Sequence, residues 1–304
     1  MWPGLLFARG YPLRADRVRF LGLTSSQAGA LLAVGERGVV ARRAGSAAAW
    51  ELQRLNTRES LTAAGLRDDG LAIAVGHGGV AFRSKDAGVT WESMGPALET
   101  INLNRDPWLG VALGRRGGIW LLGGFGLLVY SDDAGNTWQR ISPLEPEFDR
   151  HLYGFTEVLE GGFLLLGESG SMAESFNGRD WKASRSPYDG SWFGGLQTAA
   201  GSLLAYGMRG QVFRRAAGQS AWVASQGAQA SHAWVSATQL RNGAVVLVGG
   251  QGVVAVSRDD ARSFTLQTVW EGSLSGIAQD AGEQIWLSGT QGLKGFDAQW
   301  RPLA

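Results

Sequence analysis

A Gly-x-x-Gly element repeats seven times along this chain of 304 residues. The first glycines of successive copies are 41, 47, 44, 40, 42 and 40 residues apart. A period near 40 residues is typical of repeat architectures in which each unit is one supersecondary motif that must stack on its neighbours. The seven pairs are Gly35/Gly38, Gly76/Gly79, Gly123/Gly126, Gly167/Gly170, Gly207/Gly210, Gly249/Gly252 and Gly289/Gly292.

Two further landmark residues recur in register with the glycine pairs. An aromatic residue follows each pair, and a small residue precedes each first glycine by 13 positions. Between these landmarks lie short apolar runs bounded by Gly, Asp and Asn, which indicate strands and not helices. The sequence therefore predicts an all-β, seven-bladed β-propeller with four antiparallel strands per blade, A to D from the centre outwards. The aromatic residues are Trp50, Trp91, Trp138, Trp181, Trp222, Phe264 and Trp300; the small ones are Gly22, Ala63, Gly110, Gly154, Gly194, Ser236 and Gly276.

We assign residues 18–304 to a single propeller domain and residues 1–17 to an N-terminal extension. The last D strand, Trp300–Leu303, is short. An unpaired strand edge favours association with another strand, so the stretch Trp2–Phe7 could pair with the last blade and cover it.

A large apolar residue stands two positions before each small residue. An aromatic ligand surface and a ring of core residues between blades both explain this pattern. We favour the core, because aromatic side chains bury large apolar areas. The residues are Phe20, Leu61, Trp108, Leu152, Trp192, Trp234 and Leu274.

Two turns between strands C and D match the pattern S-x-D-x-G-x-T-W, the Asp-box also found in sialidases. An Asp in such a turn hydrogen-bonds to nearby backbone amides, and Gly allows a positive φ, so we assign these residues a structural role. Degenerate copies occupy residues 175–181 and 257–264. The acidic spacing does not match a calcium loop, and we predict no metal and no cofactor. The two full motifs contain Ser84, Asp86, Gly88, Thr90 and Trp91, and Ser131, Asp133, Gly135, Thr137 and Trp138.

Together, the segments VGHGGVAFRSKDAGVTW and LGGFGLLVYSDDAGNTW and the count of seven resemble the photosystem II assembly/stability factor family of Asp-box propellers, which has bacterial relatives outside photosynthesis. The resemblance covers residues ~18 to 304. It implies a non-enzymatic, extracytoplasmic protein, periplasmic or lumenal, that assists a membrane complex. The Asp-box alone is shared with other secreted propellers, so the resemblance implies the fold more firmly than the function.

Composition and charge argue against several other classes of function. The 28 basic and 27 acidic residues give a formal net charge of +1, which does not favour binding to nucleic acid. No apolar stretch approaches the length of a membrane span, and the start of the chain has no signal-peptide pattern. With no Cys and only three His in different repeats, disulfides, thiolate chemistry and His-based metal sites are not indicated.

The B–C and D–A loops of a propeller emerge on one face around the channel mouth, and we predict that this face binds a partner. A mixture of Arg, His and aromatic residues suits recognition of a polypeptide segment or an acidic group. The alternative for each position is an ordinary solvated loop residue. The binding candidates are Arg37, His77, Arg105, Arg150, His151, Tyr188, Arg209, His232 and Gln251.

We therefore predict a monomeric, non-catalytic assembly or stability factor, a scaffold for a membrane protein or a polypeptide segment of a membrane complex. The alternative is a sialidase-like glycoside hydrolase or carbohydrate-binding propeller. That function requires an arginine triad, a Tyr–Glu nucleophile pair and an acidic residue that converge at the channel mouth. The chain has only five Tyr, and the F-R-I-P-like segment of sialidases is absent before the first blade.

Overall fold

The computed structural model describes residues 13–145, 148–158 and 161–303. Seven antiparallel sheets follow one another along the chain, each with its strands hydrogen-bonded in sequence order. The predicted seven-bladed propeller is therefore confirmed. Within the described ranges, no helix is both long and apolar enough to cross a membrane.

The first four blades each contain four strands. Blade 1 has β1 (Phe20–Ser25), β2 (Leu31–Gly35), β3 (Val39–Arg43) and β4 (Glu51–Arg54). Blade 2 has β5 (Leu61–Leu66), β6 (Ala72–Gly76), β7 (Ala81–Ser84) and β8 (Glu92–Ser93), followed by the short helix α1 (Gly95–Leu98). Blade 3 has β9 (Trp108–Leu113), β10 (Ile119–Gly123), β11 (Leu128–Ser131) and β12 (Gln139–Arg140). Blade 4 has β13 (Leu152–Val158), β14 (Gly162–Gly167), β15 (Met172–Ser175) and β16 (Trp181–Ala183).

The remaining three blades complete the ring. Blade 5 has β17 (Trp192–Gln197), β18 (Leu203–Gly207), β19 (Val212–Arg215) and β20 (Trp222–Ala224). Blade 6 has β21 (Trp234–Gln239), β22 (Val245–Gly249), β23 (Val253–Ser257) and β24 (Thr265–Thr268). Blade 7 has β25 (Leu274–Gln279), β26 (Ile285–Gly289) and β27 (Gly292–Phe296). The 3-10 turns Glu36–Gly38, His77–Gly79, Met208–Gly210 and Gly250–Gly252 join strands B and C of their blades.

Blade 7 differs from the other six blades in its outermost segment. Its fourth segment forms only an isolated bridge between Phe296 and Pro302. The chain reverses in a tight turn in which the Asp297 carboxylate accepts the Gln299 and Arg301 amides, each at 2.9 Å. The segment then reaches Pro302, which has no N–H to donate to a ladder. The β-pairing therefore remains a single bridge.

The inner strands explain the ring of large apolar residues. Each A strand contains a β-bulge between the large residue and the small residue, as in β1, where Phe20 pairs with Gly35 but Gly22 pairs with Val34. The same register shift recurs in the other six inner strands. The large residues are almost completely buried, from 0% to 3% exposed, so their assignment to the core is confirmed.

The ring closes between blades 7 and 1. Strand β25 packs on β1 as the other consecutive inner strands pack on each other. The Leu293 amide donates to the Ala15 carbonyl at 3.1 Å, which ties the segment before β1 to β27. Arg43 of β3 forms a buried ion pair with Asp280 of blade 7, and its guanidinium lies 4.6 Å from the centre of the Trp286 ring. The proposed pairing of Trp2–Phe7 lies outside the described residues.

Candidate binding face

In six of the seven B–C turns, the second variable residue lies at an exposed tip with left-handed backbone. Non-glycine residues pay roughly 1 kcal/mol or more for this conformation, so their presence in five of seven turns requires an explanation. In blade 2 the same tip is a glycine, Gly78, with φ of 62°. His77 therefore lies at the first variable position of its turn and not at the tip. The non-glycine tips are Arg37, Phe125, Ser169, Arg209 and Gln251, with φ between 53° and 59°.

The D–A linkers lie against these turns, so both loop sets share one face. The Gly126 amide donates to the Arg150 carbonyl at 2.8 Å, and the Gly38 amide donates to the Glu59 carbonyl at 2.8 Å. The last glycine of the turn is needed because the linker passes so close. A Cβ placed on Gly252 would lie 1.8 Å from the Trp270 carbonyl oxygen.

Three candidate arginines project from this face without a partner. Arg37, Arg105 and Arg209 are exposed, and their guanidinium groups form no hydrogen bond or ion pair with any described residue. Arg105 also has a positive φ, 55°. Each charge is therefore free to bind an external carboxylate, a group with which a guanidinium forms strong bidentate pairs.

Arg150 and His151 lie beside the Phe125 tip. One Arg150 nitrogen is 3.5 Å from the Ser171 hydroxyl, and its guanidinium lies 5.7 Å from the Phe148 ring centre. The His151 and Phe125 rings meet edge to face, with centres 5.0 Å apart. The linker thus places both candidates beside the B–C turn of blade 3, at the junction of blades 3 and 4.

The aromatic contacts continue from His151 into blade 5. Its ring centre is 6.1 Å from that of Tyr153, and the Tyr153 and Phe193 ring centres are 5.1 Å apart. We call Phe125, His151, Tyr153 and Phe193 the aromatic arc. It is accessible, since Phe125 is 52% exposed and the other three are partly exposed.

Glu168 supplies a carboxylate beside the arc. It accepts the His151 amide at 3.0 Å, and the same oxygen is 3.5 Å from the His151 Nδ1. Burial raises the pKa of Tyr153, and the negative charge of Glu168 raises this pKa further. No Arg or Lys of the described chain forms an ion pair with Glu168, whose side chain is 41% exposed.

His232 and Gln251 line a separate cavity of about 310 Å³ at the junction of blades 5 and 6. The His232 ring packs on Trp234 at 4.8 Å, and neither of its nitrogens has a hydrogen-bond partner among the described residues. Burial without a partner lowers the pKa of His232, because it disfavours the charged ring. Tyr188 is partly buried and packs on Trp192 at 5.4 Å, so it also supports the core.

Sequence reasoning missed Tyr153, Phe193 and Glu168. Tyr153 and Phe193 occupy the bulge between the large and small landmarks of strand A, a position that repeats in every blade. Its occupants change from Thr62 in blade 2, which donates to the Trp108 carbonyl at 2.7 Å, to aromatic residues in blades 4 and 5. The sequence signal that could have identified Tyr153 and Phe193 was therefore their position between the large and the small landmark residue of strand A.

The Asp-boxes lie in the C–D turns, at the other end of the blades. In blade 2, Asp86 accepts hydrogen bonds from the Thr90 hydroxyl at 2.6 Å, the Thr90 amide at 2.8 Å and the Ser84 hydroxyl at 2.7 Å. These bonds, that of the Thr90 hydroxyl first, lower the pKa of Asp86 to about 2. Asp133 and Asp259 accept equivalent bonds, so the degenerate motif of blade 6 retains the turn chemistry. Within the described residues, no group of three or more His, Asp or Glu could hold a metal ion.

The fold, the C–D turns and the rim define a seven-bladed Asp-box propeller with a loop face rich in unpaired arginine and aromatic groups. The model of the family described as photosynthesis system II assembly factor YCF48 matches residues 41–293. The chain therefore belongs to this family.

One curated relative is the photosystem II assembly protein Ycf48 of Thermosynechococcus vestitus, which is 34% identical over 93 residues. The match spans 30% of this chain and 26% of that protein, about a quarter of the relative's length.

Three solved structures show the fold that the chain shares. A structure of YCF48 bound to D1 peptide superposes with a TM-score of 0.69 at 15% identity, over 91% of each chain. YCF48 from Cyanidioschyzon merolae gives 0.71 at 15% identity, over 95% of this chain and 98% of that one. A streptogramin B lyase gives 0.79 at 11% identity, over 92% and 94%. An enzyme and a peptide-binding protein thus share this propeller, so the fold alone does not assign a function.

Proposed function

We propose that this protein is a non-catalytic assembly or stability factor that binds a polypeptide segment of a membrane protein complex. It acts outside the cytoplasm, as a monomer and a single propeller domain that follows a short N-terminal extension. The binding surface is the face formed by the B–C turns and D–A linkers. Family membership supports the class of function, and one solved relative is bound to a D1 peptide.

The observation that carries the proposal is the set of unpaired arginines on this face. Arg37 and Arg209 occupy turn tips where glycine would be less strained, and neither guanidinium forms a hydrogen bond or ion pair with another described residue. Strained backbone that holds an unpaired charge in solvent gives no benefit to folding. We infer that the side chains serve binding, and that the bound segment carries at least one carboxylate.

A glycoside hydrolase is less well supported. The nucleophilic Tyr of that mechanism is activated by a Glu that acts as its base. Glu168 instead accepts the His151 amide at 3.0 Å, and no hydrogen bond joins it to the Tyr153 hydroxyl among the described residues. This arrangement favours binding over hydrolysis.

A crosslinking pull-down from membranes tests the proposal. The protein is compared with the Arg37→Gly/Arg209→Gly double variant, which removes both charges but suits the left-handed backbone. The matched control is Arg140→Ala, which removes an exposed and unpaired charge from the outermost strand of blade 3. We expect membrane-protein partners that the double variant loses and the control keeps.

Recovery of no membrane-protein partner by the unsubstituted protein would contradict the proposed function. Equal recovery by the double variant would instead place the binding surface elsewhere on the molecule.

A further inference from the structure

The aromatic arc and Glu168 form a compact site whose chemistry differs from that of the surrounding rim. The His151 ring lies at its centre, flanked by Phe125 at 5.0 Å and Tyr153 at 6.1 Å. The Glu168 carboxylate approaches the same imidazole to 3.5 Å. The site therefore combines several aromatic faces with one negative charge, whereas the candidate arginines of the surrounding rim are positive.

Glu168 restricts which side chain this site can accept. An acidic side chain would be repelled, and an apolar side chain would cover the carboxylate without replacing its water. A cation satisfies both components at once, because ring faces attract positive charge and the carboxylate pairs with it. None of the free arginines of the rim forms an ion pair with Glu168 in the described chain, so its carboxylate has no arginine of this protein as a countercharge.

We propose that Phe125, His151, Tyr153, Phe193 and Glu168 form a subsite for an arginine side chain of the bound polypeptide. A guanidinium is flat, so it stacks on an aromatic ring while its edge donates two hydrogen bonds to a carboxylate. Phe125 and Tyr153 provide the ring faces, and Phe193 supports Tyr153 from blade 5 at 5.1 Å. This inference rests on the proposed function only in taking the ligand to be a polypeptide. The recognised segment then carries a carboxylate for the arginine rim and an arginine for this subsite.

Two short peptides test the subsite on the purified protein. Acetyl-Gly-Arg-Gly-amide presents the guanidinium, and acetyl-Gly-citrulline-Gly-amide presents a neutral group of nearly the same shape. NMR titration follows the ring signals of His151 and Tyr153. We expect a saturable shift with the arginine peptide and at least about tenfold weaker binding of the citrulline peptide.

Glu168→Gln should weaken binding of the arginine peptide about tenfold and leave the citrulline peptide unchanged. The amide oxygen of Gln can still accept the His151 N–H, so this variant keeps the turn. Glu36→Gln is the matched control, because Glu36 occupies the same turn position in blade 1, away from the arc. It should change neither affinity.

Equal binding of the two peptides, no saturable shift with the arginine peptide, or an equal loss in Glu36→Gln would overturn the subsite. The membrane pull-down is scored separately. A Glu168→Gln variant that recovers the partner with unchanged affinity contradicts the subsite alone. Arginine-peptide binding without any recovered partner supports the subsite and contradicts the proposed function.

Discussion

At the turn tips of the binding face, the residue that suits the backbone conformation differs from the residue that suits binding. Gly78 shows that the left-handed position accepts glycine, whereas blades 1 and 5 hold arginine there. The strain is local, because both arginine tips are exposed and neither guanidinium has a partner in the described chain. Substitutions at these tips can therefore change binding while they leave stability almost unchanged.

Arg37→Gly should leave the free energy of unfolding within about 1 kcal/mol of the original value, because relief of the left-handed strain offsets the added flexibility of glycine. Arg37→Val should lower it by about 1 kcal/mol or more, because a β-branched residue is poorly accommodated at positive φ. Urea denaturation measures both. A larger loss for glycine than for valine would contradict the backbone strain assigned to this position.

The Asp-box carboxylates make stability depend on acid. The lowered pKa of Asp86 means that its contribution is complete above the unfolded value of about 4 and is lost as pH falls towards the folded value of about 2. Asp86→Asn should be less stable at neutral pH and should lose less stability across that pH interval. The measurement is urea denaturation at a series of pH values.

Asp189→Asn is the control for this acid response, since Asp189 is exposed in a linker without a hydrogen-bond partner in the described chain. An unchanged pH profile in Asp86→Asn would contradict the role assigned to the turn hydrogen bonds.

At the scale of the elements, the last glycine of a B–C turn leaves room for the D–A linker that runs beside it. Gly252 has φ of 68°, and a Cβ there would meet the Trp270 carbonyl oxygen at 1.8 Å. Gly218 has φ of 70°, but no atom lies within 4 Å of its Cβ position. The two glycines thus share a backbone conformation and differ in the space around them.

Gly218→Ala should lower the free energy of unfolding by about 1 kcal/mol, the usual penalty of the left-handed conformation. Gly252→Ala should lower it by that amount and by several kcal/mol more, because the linker must move. Thermal and urea denaturation of the two variants measures the difference in their free energies of unfolding, which reports the cost of the close approach at Gly252. Equal losses would show that backbone conformation, and not the passing linker, explains the glycine.

The order of the elements was predictable from sequence because the landmarks repeat, but the bulge and the arc were not. Gly22 and Phe20 identified the inner strand, yet nothing in their spacing of two showed that the residue between them forms a bulge. Tyr153 and Glu168 are 15 positions apart, and only the antiparallel pairing of β13 with β14 brings them to the same rim. Arg37 and Arg209 could be selected because they lie inside the repeated motif itself.

At the scale of the whole molecule, the ring closes at one junction that the chain does not bridge covalently. We call this junction between blades 7 and 1 the seam. There Arg43 and Asp280 are 7% and 0% exposed, and Asp280 also accepts the Gly282 and Gln284 amides at 2.9 and 3.0 Å. The Trp50 and Trp286 rings meet edge to face at 5.2 Å across the same seam. Among the described residues, these side-chain contacts help to close the ring at this junction.

Arg43→Met should lower the free energy of unfolding by about 3–5 kcal/mol, because it leaves Asp280 buried without its countercharge. Arg43→Met/Asp280→Asn should lose less than the single variant, since the unpaired charge is gone. The exposed pair Arg301–Asp297 provides the control, and Arg301→Met should cost no more than about 1 kcal/mol. Urea denaturation in which the double variant is less stable than the single one would contradict this account.

The seam also decides how the molecule responds to mechanical load. Six junctions between blades are bridged by the chain itself, whereas the contacts among the described residues that close the seventh include the Leu293–Ala15 hydrogen bond, the Arg43–Asp280 pair and packed side chains. A force applied between Leu13 and Leu303 acts directly across that junction, so the ring opens there before any blade is stretched. The blades would then detach in turn from the two ends. A partner that spans blades 7 and 1 would raise the force needed, whereas one bound at the aromatic arc, on blades 3 to 5, would leave the first opening event unchanged.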